Sequence, residues 1–321
     1  MNSFTILGTG SSVPPHRVTN DDLAQMVDTS DEWISTRTGI RERRVLTTQT
    51  LTDLAVEASR RALEQAQVSP KELDLIICTT LRGDYLTPAE GCVIQEELGA
   101  SCPAFDLNAA CSGFVYALDV AAGYYARGAV KKVLIVSMEA MSQMLDWTDR
   151  STCVLFGDGA GAVVLGEGDD LLAIALTAKG NREALSIPHI HGHSPFLEKK
   201  EAAPIRLSMQ GQEVYKFAVS SICRGVKKAM AQAGLTPEKV DHVLFHQANM
   251  RIIEAAQKRL GIPDDRYHNN IDQYGNTSSA SVVILLDEVN RAGLLKRGET
   301  LVLCAFGGGL TTGTAVMRWS R

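Results

Sequence analysis

No apolar run in the 321-residue chain approaches the roughly 18 residues that a transmembrane helix needs. The opening stretch, MNSFTILGTGSSVPPHRV, lacks the basic start and apolar centre of a secretory signal. Aromatics are scarce at 6%, and prolines number only 10. No sign of charge dominates: 32 Lys and Arg stand against 37 Asp and Glu, a net charge of −5. There is thus no global positive field to favour nucleic acid. A hydrophobic content of 45% with so little proline excludes a disordered or collagen-like chain. The seven cysteines are odd in number and form no CxxC pair, which excludes a disulfide scaffold or structural zinc site. The expectation is a soluble, cytoplasmic, globular protein. At about 300 residues roughly two domains are expected, with close to three quarters of the unfolded surface buried.

What the chain does have is alternation. The runs LDLIICTT (73–80), KVLIVS (132–137), VDHVLFH (240–246) and LVLCAF (301–306) are continuously apolar and bounded by turn residues, as buried strands are. Between them, 53–66, 112–127, 214–233, 250–260 and 280–292 carry a helical period. This βα alternation predicts a largely parallel sheet covered by helices.

The chain also repeats itself. At an offset of 167, ALEQAQVSPKELDLIICTT (62–80) lies over AMAQAGLTPEKVDHVLFHQ (229–247), KKVLIVS over GETLVLC, and SGFVYALDVAAG over SASVVILLDEVN. Three segments aligned without a gap point to a duplication, with halves at 1–170 and 171–321 and an extra loop near 138–158 in the first. The offset sets Cys111 opposite Ser278 and Thr79 opposite His246 at the carboxyl ends of central strands. Ligands of open α/β sheets bind outside those ends, so Cys111, His246 and Asn276 are expected on one crevice.

Cys111 follows a short strand, AFD, and immediately precedes a helix. Unpaired amides and the macrodipole at a helix N-terminus favour a thiolate, so a thiol pKa below the usual value of about 8.5 is expected. Taken alone, a cysteine is as readily a buried small hydrophobe, and Cys78 and Cys304, inside apolar runs, fit that role. A strand-end histidine such as His246 is more often a satisfied core residue than a catalyst. A Cys, His and Asn in this order admit a papain-like protease or an acyl transferase of the thiolase superfamily. The protease lacks its flanking motif here, and its cysteine lies near the mature N-terminus.

The motifs AACSGF (109–114), HQANMRII (246–253), GNTSSAS (275–281), FGDGAGAVVL (156–165) and AFGGGLTTG (305–313) resemble those of β-ketoacyl-acyl-carrier-protein synthase III, as does TSDEWISTRTGIRERR (29–44). The resemblance runs the length of the chain, in order. It implies a thiolase-like αβαβα layered fold built from two duplicated halves. It implies a decarboxylating Claisen condensation of an acyl-CoA primer with malonyl-acyl-carrier protein, initiating type II fatty-acid synthesis. Cys111 would be the nucleophile, and His246 and Asn276 would hydrogen-bond the malonyl thioester. The amides of Cys111 and Gly308 would form an oxyanion hole. Trp33 and Arg150 would sandwich the adenine of CoA, with Arg37 and Asn249 along its phosphate and pantetheine path. Lys216, Arg251, Lys258 and Arg259 would receive the acidic carrier protein. Thr87 stands where an aromatic often closes the acyl pocket across a homodimer, which suggests a deeper pocket unless Tyr85 or Leu86 refills it.

No metal or redox cofactor is implied; CoA enters as substrate. A relative acylating a secondary metabolite, or a non-catalytic acyl-binding partner, stand as alternatives. The last would be expected to lack the nucleophile that is present here. Three further motifs carry little. HIHGH (189–193) sits in a Pro/Gly/Lys-rich stretch and needs another ligand. GTGSSV lacks the third glycine and acidic partner of a dinucleotide site, and FGGGLTTG lacks the lysine of a P-loop.

Overall fold

A computed structural model describes residues 3–189, 196 and 206–321. The first sheet holds β1 (Ser3–Ser12), β2 (Leu75–Thr79), β3 (Ala104–Leu107), β4 (Lys132–Ala140) and β5 (Asp158–Gly168), in the order β1-β5-β4-β2-β3. The second holds β6 (Leu171–Ala178), β7 (His242–Phe245), β8 (Tyr267–His268), β9 (Thr300–Gly307) and β10 (Thr311–Arg318), in the order β6-β10-β9-β7-β8. The two orders are the same path traced twice, which is the duplication expressed as topology.

The sheets are mixed rather than largely parallel. In the first, β2, β3 and β4 are parallel, β5 runs against β4, and β1 against β5; the second repeats the pattern. In the first sheet the antiparallel strands β1 and β5 are interrupted by glycine, a residue depleted in strands, which hid them. Their glycines serve close packing. A Cβ on Gly10 would stand 2.2 Å from the Ala58 carbonyl oxygen of helix α1 (Leu51–Ala66), and one on Gly8 2.3 Å from that of Ala62.

The repeat offset is not constant. Leu75 and His242, 167 apart, pair with Val133 and Leu301, 168 apart. The turns Ala110–Ser112 and Ser278–Ala280, and the helices that follow them, α2 (Gly113–Ala126) and α3 (Ser281–Arg291), are also 168 apart. Cys111 therefore corresponds to Ser279, not Ser278. The extra segment of the first half is the stretch 141–157 between β4 and β5, whereas only 308–310 separate β9 from β10.

α2 and α3 form the middle layer. Phe114, Val115 and Leu118 of α2 and Val282, Leu285 and Leu286 of α3 pack with Ile77 and Leu303 from the two sheets in one core. Because α2 is covered on both sides, it is apolar on nearly every face, with Asp119 its one charged residue. Helix α1 covers the outer face of the first sheet; the helices Gly211–Gln232 and Met250–Leu260 cover that of the second. The result is the thiolase-like αβαβα sandwich, its halves joined by a shared core. Among the described residues no helix is long and apolar enough to cross a membrane.

Candidate active site

The turns beyond the central strands of both sheets open on one cavity of about 1060 Å³, lined by Cys111, His246, Asn276, Asn249, Phe306 and Gly308 among others. Cys111 lies in the turn that leads into α2, just after Ala110, whose φ of 49° is left-handed. A residue with a Cβ held there stores of order 1–3 kcal/mol, as turns at functional sites often do. Gly307 leaves room for this turn: a Cβ on it would lie 2.6 Å from the Cys111 nitrogen.

Burial pushes the Cys111 thiol up to about 12, and the Glu139 carboxylate adds to the rise. The Ser278 hydroxyl and the amides of Cys111 and Gly308 pull the other way. The donors expected at a helix start are in place, but desolvation outweighs them, so the resting site holds a thiol rather than the low-pKa thiolate the sequence suggested.

His246, just beyond β7, is buried, and burial alone drives its pKa down to about 3, so the ring is neutral at pH 7. Its Nδ1 lies 2.6 Å from Ser281 Oγ, which also accepts the Gln247 N–H at 3.4 Å. In the tautomer in which the Ser281 hydroxyl donates to Nδ1, the neutral ring carries its hydrogen on Nε2. The Phe306 ring meets the imidazole edge-on, with centroids 5.2 Å apart. Asn276 is fixed by its backbone N–H donating to Leu155 O at 2.9 Å and its carbonyl accepting from Gly157 N–H at 3.1 Å. Its side-chain Oδ1 accepts the Ser278 N–H at 2.9 Å, so what it offers the cavity is its NH2. Asn249 is likewise oriented, its Oδ1 capping helix Met250–Leu260 by accepting from Arg251 N–H.

Trp33, Arg37 and Arg150 do not line this cavity but cluster together. The Arg37 guanidinium lies 4.7 Å from the Trp33 ring centroid and that of Arg150 5.1 Å, the latter held by the Asp28 carbonyl and carboxylate. Arg251 ties the neighbouring helix to theirs by donating to Thr36 O. Arg251, Lys258 and Arg259 are exposed on helix Met250–Leu260. Lys216, paired with Glu213, instead lines a second cleft with Lys179 and Arg224. Thr87 is exposed and does not line the cavity of its own chain; Tyr85 and Leu86 do, and both are largely exposed. Of the HIHGH histidines, His191 and His193 lie outside the described residues, and His189 lines the cavity.

Sequence reasoning missed Glu139, Ser278, Ser281 and Phe306 as parts of the site. The serines sit inside a quoted motif, and the signal for Glu139 was a lone acid ending a buried apolar strand.

The family model for 3-oxoacyl-[acyl-carrier-protein (ACP)] synthase III matches residues 105–180, and the model for that family's C-terminal part matches residues 230–319. The chain is 47% identical over 325 residues to the β-ketoacyl-[acyl-carrier-protein] synthase III of Clostridium acetobutylicum, with 100% of each covered. The crystal structure of the 3-oxoacyl-[acyl-carrier-protein] synthase III of Aquifex aeolicus superposes with a TM-score of 0.91 at 44% identity, covering 99% of this chain and 100% of that one. The priming β-ketosynthase of the R1128 polyketide pathway superposes at 0.92 and 36% identity, covering 99% and 96%. With the thiol, the neutral imidazole and the carboxamide gathered on one cavity of a duplicated five-layer fold, the chain belongs to the β-ketoacyl-[acyl-carrier-protein] synthase III family of condensing acyltransferases.

Proposed function

We propose that the protein condenses an acyl-CoA primer with malonyl-acyl-carrier protein to give 3-oxoacyl-acyl-carrier protein, through an acyl-enzyme on Cys111. The observation that carries this reading is the set of groups on one cavity: a thiol, a neutral imidazole and a carboxamide whose oxygen is already engaged.

In the first half-reaction the Cys111 sulfur attacks the thioester carbonyl of acyl-CoA. The Cys111 and Gly308 amides receive the developing oxyanion, and CoA leaves as its thiol. In the second, His246 Nε2–H and Asn276 NH2 donate to the malonyl thioester oxygen. The C–CO2 bond breaks, its electron pair forms the enolate they stabilise, and that carbon attacks the acyl-enzyme. Cys111 departs and is reprotonated. Neutral donors suit a charge that appears only in the transition state, each being worth about 10²–10³ in rate.

For CoA, Trp33 and Arg150 would hold the adenine, with Arg37 and Asn249 along the chain that reaches Cys111. Carbon atoms pack at about 3.5–4.0 Å, so a ring between two planes needs roughly 7 Å. Arg150 must therefore swing off Trp33 to admit it. Lys216, Arg251, Lys258 and Arg259 would steer the acidic carrier. A homodimer would cover Tyr85 and Leu86 and bring Thr87 to the partner's acyl pocket. The reading divides the chain at 170/171, needs no cofactor, and sets the enzyme in the cytoplasm. The likeness to the R1128 ketosynthase favours one second reading, priming of a polyketide.

The test is incubation with acyl-CoA and malonyl-loaded carriers, with mass analysis of the carrier. Gain of a 3-oxoacyl group with loss of CO2 is expected. Product on a polyketide carrier alone would favour the second reading, and no product on any carrier would overturn both.

A further inference from the structure

Asn276 serves as a donor only one way round. A carboxamide presents NH2 at one end and a carbonyl oxygen at the other, and an oxygen aimed at a developing enolate would repel it. The Ser278 N–H decides the matter by donating to Asn276 Oδ1 at 2.9 Å. Ser278 itself has a left-handed φ of 50°. For a residue with a Cβ that conformation costs of order 1–3 kcal/mol and persists only where the surroundings over-determine it.

Those surroundings centre on Glu139, a buried acid that the steps above leave unused. It lies near the end of β4, 0% exposed, and does not line the cavity. Its Oε1 accepts the Ser278 hydroxyl at 3.1 Å and the Ser279 hydroxyl at 2.7 Å, and its Oε2 accepts the Leu81 N–H at 3.1 Å. Both serines belong to the second half of the chain, whereas Glu139 and Leu81 belong to the first. One carboxyl therefore clamps the Asn276 turn onto the end of the first sheet. Burying it is costly, and burial raises its pKa to about 7.

We propose that Glu139 is a positioning residue for the Asn276 donor. By holding the Ser278 and Ser279 hydroxyls it keeps the Ser278 amide on Asn276 Oδ1, and so keeps the NH2 of Asn276 turned to the malonyl thioester. This role rests on the function proposed above and adds to it a residue that never touches substrate. The clamp needs an acceptor at both carboxyl oxygens, one for the hydroxyls and one for the backbone N–H. A glutamine offers one oxygen and one NH2, so the three bonds cannot all be kept.

The two half-reactions, each followed in a single turnover, separate this role from a general loosening of the site. Acylation of Cys111 by acyl-CoA is read by intact mass, and decarboxylation by release of labelled CO2 from malonyl-carrier. In Glu139→Gln, CO2 release is expected to fall roughly tenfold or more, part of the factor of about 10²–10³ that such a donor supplies. Acylation should not slow, because the Glu139 charge opposes a Cys111 thiolate. Glu139→Asp, which keeps two acceptor oxygens, should recover part of the loss. In an Asn276→Ala background, Glu139→Gln should cost no more than about twofold further, since the group it positions is gone. Ser278→Ala removes the hydroxyl and keeps the N–H; it should show the same split in milder form, and it carries the test if the glutamine variant does not fold. Parallel losses in both half-reactions, unchanged CO2 release, or a full further loss in the Asn276→Ala background would overturn the proposal. A wild type that releases no CO2 from any malonyl-carrier would instead overturn the function proposed above, and this role with it.

Discussion

At the scale of single residues, the proposed function divides labour between a nucleophile and two neutral donors, and variants should separate the half-reactions. His246→Ala and Asn276→Ala are each expected to lower decarboxylation of malonyl-carrier about 10²–10³-fold while leaving Cys111 acylation by acyl-CoA largely intact. Release of labelled CO2 and intact-protein mass check the two halves. Gly307→Ala should cripple both, since its Cβ would sit 2.6 Å from the Cys111 nitrogen and force the nucleophile turn to move. That Cys111, His246 and Asn276 share one cavity was legible in the sequence, because the repeat set His246 at a central strand end and Cys111 and Asn276 in the turns that lead into α2 and α3. The protonation of Cys111 was not legible. A helix start reads as a thiolate site in sequence, and only burial reverses the balance. Glu139 escaped for a related reason, because its partners Ser278 and Leu81 lie far away along the chain.

At the scale of elements, close packing of helix on strand decides stability, and in the proposed CoA path the arginines at Trp33 decide access. Gly10→Ala pushes a Cβ to 2.2 Å from a helix backbone oxygen, so α1 must back away from β1. A loss of about 1–3 kcal/mol is expected for such overpacking, read by denaturant unfolding. Trp33→Ala should raise KM for acyl-CoA about tenfold with kcat little changed, the signature of lost uniform binding; steady-state kinetics at fixed malonyl-carrier would show it. The apolar strands and five long helices were legible from their periods. The glycine-rich strand Asp158–Gly168 was not, because glycines required by neighbouring layers erase the residue types that mark strands.

For the whole molecule, burial at the site ties stability to pH through two groups of opposite sign. His246, lowered from 6.5 to about 3, contributes stability that is present above 6.5 and lost as pH falls toward 3. Glu139, raised from 4.5 to about 7, contributes stability that is full below 4.5 and lost as pH rises through 7. The two slopes oppose each other between 4.5 and 6.5. Across pH 4.5–7, wild type should therefore lose about 1.4 kcal/mol per pH unit relative to Glu139→Gln, measured by urea unfolding. The duplicated halves were legible as a repeat, but their common core, in which α2 and α3 each serve both sheets, was not, since sequence periodicity does not say which sheet a helix covers. That shared layer brings the turn of Cys111 against the turn of Asn276, and so makes the site. The central claim, acyl transfer through Cys111, is most directly tested by intact-protein mass spectrometry after mixing with acyl-CoAs of two to twelve carbons, straight and branched. One stable acyl adduct that maps to Cys111 and disappears in Cys111→Ala is the expected result. No adduct with any chain, or an adduct that persists in Cys111→Ala, would contradict it.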